Sequence, residues 1–346
     1  MDRKKLMNEL VKVYPAVDAR AVTEEMKCFR FAGRRVVASN GNVAVWAELP
    51  EDTGIDGLVP AEKFFHLLSD LREDELEIEQ KDNELHITCG RCRARYKIRP
   101  HEGGFLDSLK VEVPDDAWRP WPEKMDEGLK LCRFAASRDA SQGALCGVHV
   151  DDEGLVATDS YRIVGYSGAR LPEGWEPLTL SQDLLDVLAK QGEAVESWAV
   201  VDGTVYLSLG STKIGARLLA SEFPAGARQF LAQAAELPEE VELPQELIEA
   251  VRRHGDQMSD VPDLDREITV LLGEGKLTIS SSDGVLYELS EDLDLPDSAT
   301  KVSFKVNPSF LADVLGLTRK MAYGADKRMV AFKAEDFTYL TAVEWV

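Results

Sequence analysis

At 346 residues, with 44% hydrophobic and 29% charged side chains, the chain has core material for two or three ordinary domains. No apolar run approaches the roughly 20 residues a helix needs to cross a bilayer, and the opening Met1-Asp-Arg-Lys-Lys-Leu6 has no secretory apolar stretch, so a cytoplasmic protein without a membrane partner is expected. Five scattered cysteines (Cys28, Cys89, Cys92, Cys132, Cys146) do not make a disulfide framework and are expected as reduced thiols. A formal charge of −22 argues against indiscriminate nucleic-acid binding, yet it does not report where the charges sit.

In chain order, the first predicted element is an amphipathic helix over about 2–14, with Leu6, Leu10, Val13 and Tyr14 on one face. A hairpin follows, Val37 to Val45 around a Ser-Asn-Gly-Asn turn, then a short apolar helix at Phe64–Leu68 behind Pro60. Alternating strands begin at Leu76 and Leu85. The set then recurs: a helix over 122–138, a hairpin Val156–Val164, a helix Leu184–Leu188 behind Ser181, and strands at Trp198 and Val205. It recurs again as a helix over 244–255, a hairpin Ile279–Tyr287, a helix Leu311–Leu315 behind Asn307-Pro308, and strands at Met329 and Tyr339. The short helices start at 64, 184 and 311, which are 120 and 127 residues apart. Three elements in one order at matching spacing mark an internal repeat. The expected fold class is therefore α+β, in three tandem units at 1–115, 116–236 and 237–346. Three such units in a row suit an arc, which a second copy closes by head-to-tail contacts if the rotation allows.

Several runs in these units resemble the β sliding clamps of bacterial replication. They are Val59-Pro-Ala-Glu-Lys-Phe-Phe65, Val156-Ala-Thr-Asp-Ser-Tyr-Arg-Ile163, Glu222-Phe-Pro224, Phe304-Lys-Val-Asn307 with Leu311-Ala-Asp-Val-Leu315, and Tyr339-Leu-Thr-Ala-Val343. The resemblance implies a homodimeric ring with sheets outside and helices lining a hole that admits double-stranded DNA. It also implies an ATP-driven clamp loader, a replicative DNA polymerase as partner, no cofactor and no catalytic residues. A hydrophobic peptide groove is implied at Leu145, Thr158, Ser160, Tyr161, Arg162 and Ile163, with Pro224, Arg228 and Gln229 nearby and a C-terminal wall of Met329, Leu340, Thr341, Ala342 and Val343. Ser160-Tyr161 stands where the family often has Gly-His, and Ala342-Val343 where it has Met-Pro, so the peptide preference is expected to differ.

A ring around DNA needs cations on its inner helices. Lys5 and Lys12 share the first helix face opposite Leu6 and Leu10; on the helix over 122–138, Lys130, Arg133 and Ser137 stack at i, i+3 and i+7. Arg20, Lys63, Arg138, Lys190, Arg252, Arg253, Arg319 and Lys320 complete the expected DNA-facing set. Glu9, Asp126, Glu127 and Glu249 lie among them, so an ordinary solvated surface fits these residues equally well. Arg91, Arg93, Arg95, Lys97 and Arg99 alternate and would share one face of a strand. They read as a DNA or loader contact, or as an exposed face paired with the acids Glu75, Glu77 and Glu79, which is the favoured reading.

Motifs for chemistry are weak. Cys89-Gly-Arg-Cys92 is a lone C-x-x-C among strand residues, without a second pair for a metal. Gly273-Glu-Gly-Lys276 lacks the following Ser or Thr of a phosphate loop and reads as a hairpin turn. Gly165-Tyr-Ser-Gly168 is one residue short of a nucleophile elbow, and His66, His86, His101, His149 and His254 form no metal-ligand spacing. Two other readings stay open: a clamp-like decoy that binds clamp partners without encircling DNA, and a carboxylate-metal hydrolase.

Overall fold

The computed structural model describes residues 1–99, 113–295, 301–324 and 329–346. His101 lies outside them.

The chain begins with α1 (Arg3–Val13), β1 (Cys28–Ala32), β2 (Arg35–Ser39), β3 (Val43–Glu48), β4 (Asp56–Pro60), α2 (Ala61–Asp70), β5 (Glu77–Lys81), β6 (Glu84–Cys89) and β7 (Cys92–Lys97). It continues with β8 (Arg119–Pro120), α3 (Met125–Cys132), β9 (Gly147–Val150), β10 (Leu155–Thr158), β11 (Arg162–Tyr166), β12 (Leu178–Ser181), α4 (Gln182–Leu188), β13 (Ser197–Val201), β14 (Thr204–Leu209), β15 (Thr212–Arg217) and α5 (Gly226–Ala235). It closes with β16 (Glu239–Glu242), α6 (Leu247–Gln257), β17 (Ile268–Gly273), β18 (Lys276–Ser282), β19 (Glu288–Asp294), β20 (Val302–Val306), α7 (Pro308–Leu315), β21 (Lys320–Gly324), β22 (Met329–Lys333), β23 (Phe337–Thr341) and β24 (Glu344–Trp345). Short additions aside, the order is helix, four strands, helix, three strands, three times over.

Local chemistry explains the element ends. The Asp2 carboxylate accepts the Lys5 N–H at 3.1 Å to start α1, and Leu6, Leu10 and Val13 are fully buried at helical spacing. Ser181 caps α4 by accepting from Leu184 N–H, and Asn307 caps α7 by accepting from Ser309 N–H at 2.8 Å with Pro308 in the first turn. Asp202-Gly203 and Glu274-Gly275 each place two consecutive residues at positive φ, the two-residue turn whose twist matches a hairpin. The Gly273–Lys276 segment is thus the turn between β17 and β18.

The contacts divide the chain into two compact units, residues 1–121 with 180–220, and residues 122–179 with 221–346. The first holds an eight-stranded sheet, β4-β1-β2-β3-β15-β14-β13-β8, and a three-stranded sheet, β5-β6-β7. Its core contains Phe29, Phe31 and Phe64 in edge-to-face contact, and Trp198 against Trp121 at 5.0 Å. The second holds an eight-stranded sheet, β12-β9-β10-β11-β23-β22-β21-β16, and a five-stranded sheet, β19-β18-β17-β20-β24. Tyr323, Phe332, Tyr339 and Phe304 are its largest buried rings.

Two expectations need correction. The helix expected over 122–138 is α3 alone, followed by one 3-10 turn at Arg133–Ala135 and extended backbone at Ala136. Ser137 is buried, with its N–H on the Leu145 carbonyl at 2.7 Å, so it does not extend the Lys130–Arg133 face. Helix α5 was not expected at all.

Candidate partner groove and basic faces

Antiparallel pairing of β11 with β23 brings the two expected halves of the groove together within the second unit: Arg162 faces Thr341 and Ile163 faces Leu340. The Ala342 N–H also donates to the Tyr161 carbonyl at 2.7 Å. At this junction Tyr161, Ser160, Pro224, Gln229 and Ala342 are exposed, and Leu145, Ile163 and Val343 are half-buried. Thr158 and Thr341 are buried; the Thr158 hydroxyl accepts the Ser160 N–H at 3.1 Å and so shapes the β10–β11 turn.

The far wall is different from expectation. Met329 and Leu340 are buried in a cluster with Ala234 and Leu237, against which Ile163 and Leu231 pack. Leu231 of α5 lies so close over Gly165 that a Cβ there would meet its Cδ1 at 2.7 Å. Met329 and Leu340 are therefore floor beneath α5, not open wall. The stripe Ala227, Leu231, Ala234 at i, i+4 and i+7 behind Pro224 is the sequence signal for this cover.

The two expected arginines are also already engaged. Arg162 donates to Asp159 at 2.9 Å through Nε, to Asp313 through Nη1 and to the Phe134 carbonyl at 2.7 Å through Nη2. Its guanidinium lies 4.6 Å from the Phe310 ring centroid and 5.3 Å from that of Phe134. Burial pushes the Tyr339 phenol up, and its hydroxyl donates to the Phe310 carbonyl at 2.9 Å. Arg162 is thus a strut behind the groove. Arg228 donates from Nε to Asp151 at 3.1 Å and from Nη2 to the Gly154 carbonyl at 3.0 Å, which anchors α5. Beside it, burial holds His149 below its ordinary pKa, so the neutral ring stacks on Phe223 with centroids 4.8 Å apart.

Ser160 occupies the left-handed region at φ +78°. An L-residue there costs about 1 kcal/mol relative to glycine. Ser160→Gly is accordingly expected to stabilise the protein by about that amount, read as a higher urea midpoint at unchanged slope; an equal or lower midpoint would contradict it.

Of the expected DNA-facing cations, Lys5, Arg20, Lys63 and Lys190 in the first unit and Lys130, Arg138, Arg252 and Lys320 in the second are exposed, and Arg133 is half-buried. Three others are matched by acids. Lys12 bridges Glu9 at 3.0 Å and Glu193 at 2.9 Å, Arg253 pairs with Glu291 at 2.6 Å, and Arg319 pairs with Glu242 at 3.0 Å. Their positive field is locally cancelled.

The alternating basic residues lie on and beside β7 with all five side chains exposed. The acids expected to match them do not adjoin β7: Glu77 and Glu79 are on β5, on the other side of β6. Arg95 instead approaches Glu84 at 3.5 Å and Arg99 approaches Glu24 at 3.9 Å. Among the described residues β7 is one edge of its sheet, with β5 the other, and β19 is one edge of the five-stranded sheet, with β24 the other. Glu288, Asp292 and Asp294 are exposed along β19.

No family model matches the sequence, and no curated protein does. Solved structures do match. A DNA polymerase sliding clamp from Pseudomonas aeruginosa superposes with a TM-score of 0.81 at 18% identity, over 100% of this chain and 99% of that one. The DNA polymerase III beta subunit from Thermotoga maritima gives 0.81 at 18% identity, over 100% and 98%. A DnaN sliding clamp from Bartonella birtlesii, bound to griselimycin, gives 0.83 at 15% identity, over 100% and 98%.

Proposed function

We propose that this chain, which has the fold of bacterial sliding clamps, is itself a clamp: a homodimeric ring that encircles double-stranded DNA without reading its sequence, tethers a polymerase, and catalyses nothing. In this reading the three repeats, 1–115, 116–236 and 237–346, are three similar domains. The observation that supports it most is the strand pairing. Twice within the chain, the third strand of a four-strand set joins the third strand of a three-strand set: β3 with β15, and β11 with β23. One set of each kind is left over, and its corresponding strands are β19 and β7, both open edges. Their exposed faces are acidic and basic respectively. Joining β19 of one copy to β7 of the next repeats the internal junction and closes a two-chain assembly head to tail.

A ring holds DNA by topology, so its cations need only a loose, solvated contact, and local cancellation at Lys12, Arg253 and Arg319 is compatible with sliding. Partners of clamp type would dock an extended peptide across Leu145, Tyr161, Ile163 and Ala342, beside α5. An ATP-driven loader of the source organism would open the ring.

The experiment is retention on DNA. Loaded onto a nicked circular plasmid, the protein is expected to stay through a high-salt wash and to leave once the plasmid is linearised. Release from the circular plasmid at the same rate as from the linearised one would mean adhesion, since a threaded ring leaves only over a free end. A second reading, a clamp-like decoy that occupies partners without encircling DNA, is favoured by the cancelled cations; it requires that the intact protein never become linearisation-sensitive.

A further inference from the structure

We propose that Cys89 and Cys92 form a reversible disulfide across the β6–β7 hairpin. The two residues are the last register pair of the ladder, flanking the two-residue turn Gly90-Arg91, with Gly90 at φ +56°. Residues directly opposed in an antiparallel ladder point to the same face, with Cα atoms about 4.5–5.5 Å apart. That spacing lies within the range of about 4.4–6.8 Å that a disulfide spans. Both thiols are free. They sit on the sheet face that carries Leu85, Ile87, Ala94 and Tyr96, opposite the exposed arginine row.

The surroundings give the two thiols different roles. Cys89 is buried and its thiol faces the Glu73 carbonyl at 3.5 Å, whereas Cys92 is half-buried at the mouth of the turn. A small disulfide such as oxidised glutathione therefore meets Cys92 first. The Cys92 thiolate attacks one glutathione sulfur, the glutathione S–S bond breaks, and one glutathione thiolate leaves. Cys89 then gives up its proton, and its thiolate attacks the Cys92 sulfur and displaces the second glutathione. Two protein thiols are oxidised, one glutathione disulfide is reduced, and the protons pass to the departing glutathiones. The other cysteines do not compete for this partnership. Cys28 and Cys132 are buried, with burial pushing the Cys28 thiol up to about 11 and Cys132 up as well. Cys146 is half-buried like Cys92, but it lies outside the strands and has no cysteine opposed to it in a ladder.

The inference rests on the hairpin alone and holds whether or not the chain is a clamp. Trypsin cuts after Lys81, Arg91 and Arg93, so one cut falls between the two cysteines. The folded protein would be incubated with oxidised glutathione, blocked with an alkylating agent, denatured and digested. The expected product is peptide 82–91 joined to peptide 92–93, released by reductant. Cys89→Ser is expected to trap glutathione on Cys92 at several-fold higher occupancy than in the parent protein. Recovery of unlinked 82–91 with glutathione or the alkylating agent on Cys92 of the parent protein would overturn the proposal, as would equal glutathione occupancy in the two proteins.

Discussion

Reversing Arg93, Arg95 and Lys97 to Glu together is expected to convert the proposed two-chain assembly, about twice 38.4 kDa, into monomers. An exposed ion pair contributes roughly 0.5–1 kcal/mol, and reversing one partner replaces that attraction with a comparable repulsion. Three reversals therefore cost about 3–6 kcal/mol at each junction, and with two junctions in the closed assembly the dimer becomes roughly 10⁴–10⁸-fold weaker. The residues are exposed on an edge strand, so the monomer itself should keep its thermal midpoint. The reciprocal change, Glu288, Asp292 and Asp294 to Lys, is expected to weaken the dimer alone and to restore it when mixed with the first variant. Sedimentation at several concentrations reads both. A triple variant that dimerises like the parent chain would remove β7 from the interface, and failure of the mixed pair to associate would remove β19.

Removing the strut behind the groove is expected to have the largest effect on the fold itself. Arg162→Ala leaves Asp159 Oδ2 and the Phe134 carbonyl without the guanidinium donor in a largely buried setting, while Asp159 Oδ1 keeps its two backbone N–H donors and Asp313 is more exposed. Breaking one side of a buried ion pair costs about 3–5 kcal/mol; the exposure of Asp313 points to about 3. Arg162→Lys keeps the charge but cannot serve three acceptors in a fork while lying over two rings, and should lose less than Ala but well over half of the strut's contribution. Urea unfolding of the three proteins tests the order. A loss for Ala below about 1 kcal/mol would mean that the Phe134 and Phe310 packing holds without the charge.

Much of this architecture was legible where short-range chemistry decides it. Asp202-Gly203, the Asn40-Gly41 turn and the caps at Ser181 and Asn307 fix their elements within a few residues, so hairpins and short helices fell where expected. The threefold order followed from those same signals. Pairing between β3 and β15, or β11 and β23, is different in kind: it joins strands far apart in the chain, and nothing in either strand names its neighbour. Tyr161, Ile163 and Ala342 come together because they flank one ladder. The roles of Arg162, Arg228, Met329 and Leu340 were not legible. Each depends on a partner brought in from elsewhere: Asp313, Asp151, or the apolar stripe of α5. Four of the ten residues of α5 are alanine, so its stripe of Ala227, Leu231 and Ala234 carries little apolar bulk to mark it.

The two eight-stranded sheets each take strands from two successive repeats, β3 meeting β15 and β11 meeting β23. The repeating run of elements is therefore out of phase with the compact units into which the chain divides. Severing the polypeptide at a repeat boundary would strip a sheet of half its ladder and bare a sticky flank, so a lone copy excised from this chain should behave as an aggregating fragment and not as a miniature of the whole.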